Sequence, residues 1–412
     1  MIGKRAASVA LLLSLLVTSG CWDSSEVNDI AIELAWGIDA ADNNRIRISA
    51  QTIVPSKFSG GSNAGTGGGG GGGGKGKPYF VVSSDGLNTL DAVQRMQTKL
   101  SRRMFRGHRR VIVIGESMAR RGIKEIFDTY SRDPNLKLRT DMFIVKGSTA
   151  KDLLNVSYPL ENIPGLGVLG EYGQLGTPQE VGLLNFLLAA TSDGASMCLP
   201  TIVIGMNNAS QGAQESEVRS YADKEEGFRI AGSGILDKEL KLVGFLNLEE
   251  SRAMRWVTGN LKKLTVSEQV PEENGNVSID LQRTRSRIQP AMEGGRLKIH
   301  VTLTGRGAIR ENNTRLDLTR TANIKELQKA LNRHVEETTL QTITKVQQEY
   351  GTDIFGFSEV IRRKDLSLWR SVKDDWEEEF RAAEVTVSAN LTVRRIGVTG
   401  PALQLNPKEI KK

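Results

Sequence analysis

Cysteine and histidine are scarce in this chain of 412 residues, which has two cysteines and three histidines. Two cysteines cannot supply a disulfide framework or a zinc site made of cysteines. The histidines, His108, His300 and His334, fall on three different predicted elements, and metal ligands need closer spacing along a helix or strand. The sequence therefore predicts no metal site and no cofactor.

Long apolar runs are also absent, apart from one near the amino terminus. That stretch, Ala6–Val17, follows Lys4 and Arg5 and is too short to span a bilayer comfortably. A positively charged amino terminus, a short apolar core and small residues before the cleavage site are typical of an export signal. We therefore predict a signal peptide over residues 1–20 and a folded body outside the cytoplasm.

The predicted signal ends at Cys21, and its last residues resemble a bacterial lipobox. A lipobox usually has an aliphatic residue three positions before the cysteine, where this chain has Thr18. The chemistry requires cysteine because its thiolate forms a thioether with a diacylglyceryl donor, and two or more acyl chains anchor a protein stably. We predict that Cys21 is the first mature residue and carries diacylglyceryl and N-acyl groups, which leaves Cys198 without a disulfide partner. A plain secretory signal is the alternative.

Charge of one sign is not concentrated anywhere in the chain. The net charge is +7, and basic residues are interleaved with acidic ones. A nucleic-acid-binding protein usually gathers its basic residues on one element, so we predict no nucleic-acid partner. The mild excess of basic over acidic residues is compatible with a weak attraction to anionic lipid or cell-wall polymer. The basic tail, 406–412, is predicted to be solvated.

Apolar periodicity predicts a three-domain body of mixed α/β and α+β class. Strand and helix patterns alternate over 21–205, which indicates an α/β domain, and its glycine-rich stretch, 59–77, is predicted to be a flexible loop. Polar residues 206–227 are predicted to be an exposed connection. Short strands with turn residues predict a β-rich middle domain over 228–290. The last domain, 291–405, has α+β patterns with a long amphipathic helix at about 323–350.

Catalytic motifs are missing as well. The glycines of GLGVLG, Gly165–Gly170, match a dinucleotide-binding pattern but follow Pro164 rather than a strand, so we interpret them as a mobile surface loop. No serine lies in a nucleophile elbow. Paired carboxylates such as Glu249 and Glu250 fall on charged helical faces. The sequence therefore predicts no catalytic residue and no enzyme.

Five segments, in order along the chain, resemble the Ger(x)C-type lipoproteins, which are the C subunits of nutrient germinant receptors in endospore-forming bacteria. They are GCWDSSEVNDIAI, GHRRVIVIGESMARRGIKEIFDTYSRDPNLKLRTDMFIVKG, GSGILDKELKLVGFLNLEESRAMRWVTG, QKALNRHVEETTLQTITKVQQEYGTDIFGFSEVIRRKDLSLW and VTVSANLTVRRIG. The resemblance covers nearly the whole mature chain. The glycine run and Thr18 depart from the family pattern.

The resemblance implies a non-enzymatic subunit on the outer face of the inner spore membrane. Such a subunit assembles with two integral membrane subunits, of the A and B types, and helps to couple nutrient sensing to germination. The family is described as three mixed α/β domains, and Cys21 is the functional residue that carries over.

Two other functions are compatible with an anchored body. One is a lipid-anchored solute-binding protein of a transporter, which requires a ligand cleft between two similar lobes, whereas the halves of this sequence are dissimilar. The other is an anchored cell-wall enzyme, which the missing catalytic residues disfavour.

Overall fold

The computed structural model of the protein describes residues 29–57, 77–132, 138–175, 182–192, 194, 196–205, 227–270, 275–397, 401–406 and 408–411. The predicted signal peptide and Cys21 lie outside the described residues. So do the glycine-rich stretch, apart from Lys77, and the predicted connection, apart from Gly227.

The first sheet is built on parallel strands from the amino-terminal half of the chain. Its strands are β1 (Ile30–Ala40), β2 (Ile46–Ile53), β3 (Tyr79–Gly86), β4 (Arg103–Phe105), β5 (Val111–Gly115), β6 (Asp141–Val145), β7 (Met197–Ile204), β8 (Phe228–Leu236) and β9 (Leu242–Leu246). Their order is β3-β2-β1-β5-β6-β7-β8-β9, and β4 pairs with the start of β1. The central strands β1, β5, β6 and β7 run parallel, whereas β2, β3, β8 and β9 are joined to their neighbours by antiparallel pairing. The central β5 and β6 are buried on both faces, which explains the unbroken apolar sequence of β5 and the apolar residues that follow Asp141 in β6.

Helices cover both faces of the first sheet. They are α1 (Thr89–Gln97), α2 (Glu116–Arg121), α3 (Lys124–Ser131), α4 (Ala150–Asn155), α5 (Pro164–Gln174) and α6 (Leu183–Ala190). Successive residues of β5 belong to different cores, because side chains alternate across a strand: Ile112 and Ile114 pack with Phe186, whereas Val111 and Val113 pack with Phe143. The α/β pattern of the sequence is therefore confirmed for this sheet.

The interpretation of GLGVLG as a surface loop is wrong, because these residues lie inside α5. The helix begins at Pro164, whose fixed φ suits a first helical position. A Cβ atom at Gly165 would lie 2.5 Å from Cβ of Ala35, and one at Gly167 would lie 2.9 Å from the ring of Tyr158. The glycines therefore allow the helix to pack closely against the sheet, a packing role that a local motif does not reveal.

The second sheet contains long antiparallel strands and one parallel strand. Its strands are β10 (Lys263–Val270), β11 (Gly275–Glu293), β12 (Arg296–Asn312) and β13 (Glu384–Arg395), in that order, and β13 pairs in parallel with β12. The associated helices are α7 (Leu248–Val257), α8 (Thr321–Lys345), α9 (Phe357–Lys364), α10 (Leu366–Val372) and α11 (Trp376–Ala382). α8 continues as a π-helical turn over Val346–Tyr350 and stops at Gly351, which has a positive φ. Trp369 and Trp376 pack edge to face in this core.

Residues 228–290, which the sequence predicts to be a middle domain, are divided between the two sheets. β8 and β9 extend the first sheet beyond β7, whereas β10 and β11 begin the second. The short strands of this segment indicate β structure, but their partners depend on which strand edges are free in the folded chain. The three-domain division stays a prediction.

We expect Gly165→Ala to lower the free energy of unfolding by about 1–3 kcal/mol, because the added methyl group overpacks the contact with Ala35. Gly170 lies in the same helix, and a Cβ atom there would meet nothing within 4 Å. The matched control Gly170→Ala should therefore be neutral or stabilising by up to about 1 kcal/mol. Urea unfolding of both variants measures the difference, and equal effects would contradict the packing role of Gly165.

Candidate functional site

The candidate functional region is the place where the chain enters the fold. β1 begins at Ile30, nine residues after Cys21. Nine residues span at most about 30 Å when fully extended. A group attached to Cys21 therefore lies within about 30 Å of the start of β1.

A buried ion pair lies beside this entry point. Nη2 of Arg109 donates a hydrogen bond to Oε2 of Glu33 over 3.1 Å, and the two side chains are 6% and 0% exposed. The guanidinium group also stacks on Trp36, with its carbon 3.5 Å from the ring centroid. Because Glu33 belongs to β1 and Arg109 precedes β5, the pair joins the entry strand to the centre of the sheet.

This pair was not predicted from the sequence. Arginine and glutamate are rarely buried unless they are paired, and a single sequence does not show which residues pair. One signal was present: GHRRVIVIG places Arg109 and Arg110 directly before a strand with no polar residue. The two neighbouring arginines differ in their surroundings, since Arg109 is buried and Arg110 is exposed.

We expect Arg109→Met to lower the free energy of unfolding by about 3–5 kcal/mol, because it leaves the Glu33 carboxylate buried without its cation. The combined Glu33→Leu and Arg109→Met variant should recover part of that loss, since neither charge then remains. An exposed pair, Lys124 and Glu239, serves as the control. Lys124→Met should cost less than about 1 kcal/mol, and a similar cost for Arg109→Met would contradict the buried pair's role.

Two other buried carboxylates hold backbone amides. Asp39, at the end of β1, accepts hydrogen bonds from the N–H groups of Ala150 and Lys151 at the start of α4, over 2.7 and 3.0 Å. Asp353 accepts from the N–H groups of three residues, Phe355, Phe357 and Ser358. Burial raises the pKa of both carboxyl groups, and the backbone hydrogen bonds oppose that rise. Both side chains therefore have a structural role in ordering helix starts.

Asp141 begins β6 and is 6% exposed. Burial raises the pKa of its carboxyl group to about 6, and the nearby guanidinium group of Arg110 opposes the rise. Between pH 4 and 6 the folded protein therefore keeps a proton that the unfolded chain has released. Such a group lowers the stability of the folded state as the pH rises through this window.

We expect Asp141→Asn to raise the free energy of unfolding at pH 8 by on the order of 2 kcal/mol, because no buried charge then forms. At pH 4 the same variant should have a much smaller effect. Asp128 is the control, because its hydrogen bond to Arg132 lowers the pKa of that exposed carboxyl group. Denaturant unfolding at both pH values tests this, and a gain for Asp128→Asn at pH 8 as large as that for Asp141→Asn would contradict it.

A groove of about 420 Å³ lies between α7, β10 and α8. His334 borders it, with Nδ1 2.7 Å from a carboxylate oxygen of Glu268 and Nε2 3.8 Å from one of Glu249. His108 lies beside Phe105, and His300 is hydrogen-bonded to Thr386 and Ser388. The three histidines are thus in three different places.

A second cavity of about 730 Å³ lies where the first sheet and its helices meet α7 and α9. Arg255 contacts it, lies over the ring of Tyr172 and donates a hydrogen bond to the hydroxyl group of Tyr172. Cys198 also lines this cavity, is half-buried and packs against the core. Burial raises the pKa of its thiol to about 12, so the thiol is protonated at neutral pH.

Membrane-spanning helices and metal-binding clusters are both absent from the described ranges, 29–411 with the gaps given above. No helix among those residues has the length and apolar character needed to cross a membrane. In the same part of the chain, no three histidine, cysteine, aspartate or glutamate side chains are grouped closely enough to hold a metal ion.

Two family models match the chain and together cover most of it. The model described as "Spore germination protein N-terminal domain" matches residues 23–204. The model described as "Spore germination B3/ GerAC like, C-terminal" matches residues 231–397. The chain belongs to the Ger(x)C family of spore germination proteins.

Relatives of this Ger(x)C protein match it along almost their entire length. Spore germination protein KC of Bacillus subtilis (strain 168) is 25% identical, over 97% of this chain and 97% of its own. Spore germination protein YndF of the same organism is 26% identical, over 95% and 96%. The crystal structure of the GerBC protein covers 87% of this chain and 96% of its own, with a TM-score of 0.54 and 18% identity. The Ger(x)C fold is therefore shared by this chain.

Proposed function

We propose that this Ger(x)C protein is a membrane-anchored lipoprotein subunit of a spore germinant receptor. Acyl chains on Cys21 hold it on the outer face of the inner spore membrane. There it assembles with integral membrane subunits of the A and B types and has no catalytic activity. The observation that carries the proposal is the match of both family models, combined with a cysteine nine residues before the first strand.

The fold supports a coupling role for this subunit. A body that binds two states of its membrane partners with unequal affinity shifts the equilibrium between those states. Such a body has to be rigid, because a flexible one would absorb the change. The continuous first sheet and the large second core are suited to this role.

A lipid-anchored solute-binding protein is the alternative proposal. It requires two similar lobes around a ligand cleft, whereas the two sheets here differ in strand order and in the direction of pairing. Calorimetry of the chain with amino acids, sugars and nucleosides distinguishes the two proposals. A saturable, stoichiometric heat would favour the solute-binding protein.

We expect Cys21→Ala to abolish metabolic labelling with a radioactive fatty acid and to move the protein from the membrane fraction to the soluble fraction. The chain supplies its own control in Cys198, the other cysteine, which is half-buried. Cys198→Ala should keep both the label and the membrane association. Retention of Cys21→Ala in the membrane fraction would contradict anchoring by acyl chains, as would equal labelling of the two variants.

The partners are tested by crosslinking in dormant spores. The wild-type chain should recover integral membrane receptor subunits, and Cys21→Ala should recover less because it is no longer concentrated at the membrane. Recovery of no membrane subunit by the wild-type chain would contradict the receptor assignment.

A further inference from the structure

Several strands of the first sheet begin at the edge where the chain enters the fold. β1 pairs in parallel with β4 and β5, and β5 pairs in parallel with β6. The registers place Ile30 opposite Arg103, and Val111 opposite both Ala35 and Asp141. The four strands therefore run in the same direction. β4 begins level with the start of β1, and β5 and β6 begin about five residues, or about 16 Å, further along it.

Four exposed arginines lie at these strand starts. Arg102 and Arg103 begin the β4 segment, Arg110 directly precedes β5, and Arg139 lies two residues before β6. None of the four side chains forms a salt bridge within the described part of the chain. Among the described residues next to these strand starts in the chain, Asp29 is exposed and Asp141 is buried. Within the described part of the chain, the exposed charge at these strand starts is therefore mainly positive, although the chain as a whole is only mildly basic.

Two exposed leucines lie on α6, whose start is beside the segment that carries Arg139. The N–H groups of Leu183 and Leu184 donate hydrogen bonds to the carbonyl oxygens of Thr140 and Leu138, which places the start of α6 beside β6. Leu184 and Leu188 are 45% and 60% exposed. They are one helical turn apart and so share a face of α6. Basic side chains next to exposed leucines are typical of surfaces that bind the headgroup region of a bilayer.

We propose that this surface, Arg102, Arg103, Arg110, Arg139, Leu184 and Leu188, docks on anionic lipid headgroups; we call it the basic edge. The inference rests on the proposed anchoring at Cys21, because nine residues keep the start of β1 within about 30 Å of the bilayer. An arginine that comes within about 10 Å of the bilayer surface strengthens binding to anionic lipid about fivefold. Contact at this edge gives the tethered body one preferred orientation towards its membrane partners.

The test uses the chain from Cys21 onward with Cys21→Ser, which retains every described residue and carries no acyl group. It is sedimented with vesicles of phosphatidylglycerol and phosphatidylcholine in equal parts, and with vesicles of phosphatidylcholine alone. We expect binding to the anionic vesicles at low ionic strength. High salt should reduce it, because exposed charges are screened over shorter distances.

Two matched double variants locate the contact. Arg102→Ala with Arg103→Ala should weaken binding about 25-fold, which is the product of two fivefold losses. Arg285→Ala with Arg287→Ala removes the same charge from exposed positions on β11 and should change binding less than twofold. Leu184→Gln with Leu188→Gln should also weaken binding without changing the net charge. Circular dichroism and urea midpoints confirm that each variant is folded.

Either of two results would overturn the docking surface: no binding to anionic vesicles at low salt, or equal losses from the two arginine pairs. The first result would make an acidic segment of a partner protein the better occupant of the basic edge. Neither result bears on acylation, because the test protein has no acyl chain. Conversely, if Cys21 proved not to be labelled with fatty acid in cells, the proposed anchoring would fail, but the binding of the unacylated protein to vesicles would be unchanged.

Discussion

The antiparallel pairing of β7 with β8 joins the two halves of this protein. β7 ends the region matched by the amino-terminal family model, and most of β8 lies in the region matched by the carboxy-terminal one. Backbone hydrogen bonds therefore hold the halves in one sheet. Gly232 of β8 pairs with Thr201 of β7, its φ is +139°, and a Cβ atom there would lie 2.0 Å from the carbonyl oxygen of Leu246 in β9. A side chain at this position would force β8 and β9 apart.

This shared sheet makes the two halves of the protein one rigid body, as the proposed coupling role requires. A body whose halves were joined by a linker alone would rotate freely about it and would transmit little from one partner to another. Here one hydrogen-bonded structure contains the entry strand β1, the buried pair of Glu33 and Arg109, and the last two strands of the sheet, β8 and β9. Under the proposed anchoring at Cys21, a weak lipid contact at the basic edge would add to the tether, because the tether would already keep the two surfaces close. The proposed orientation at the membrane would then need only modest affinity.

Some elements were predictable because their signal is local. The apolar VIVIG of β5 and the alternation of Leu297, Ile299, Val301 and Leu303 in β12 indicate strands from the sequence alone, since burial on two faces or on one face has a distinct pattern. GLGVLG was misinterpreted because glycine permits either a loop or close helix packing, and only the position of Ala35 decides between them. The burial of Arg109 depends likewise on Glu33, which is 76 residues away in the chain.

The sequence by itself determined the class of elements, the scarcity of metal-binding and catalytic residues, and the resemblance to the Ger(x)C family, because composition, periodicity and ordered motifs are local properties. Only the tertiary structure decided that β8 and β9 complete the first sheet, and that four arginines from distant segments lie at the edge where the chain enters. Strand pairing is chosen among all free edges of the folded chain, so the partner of a strand is not encoded in its own residues.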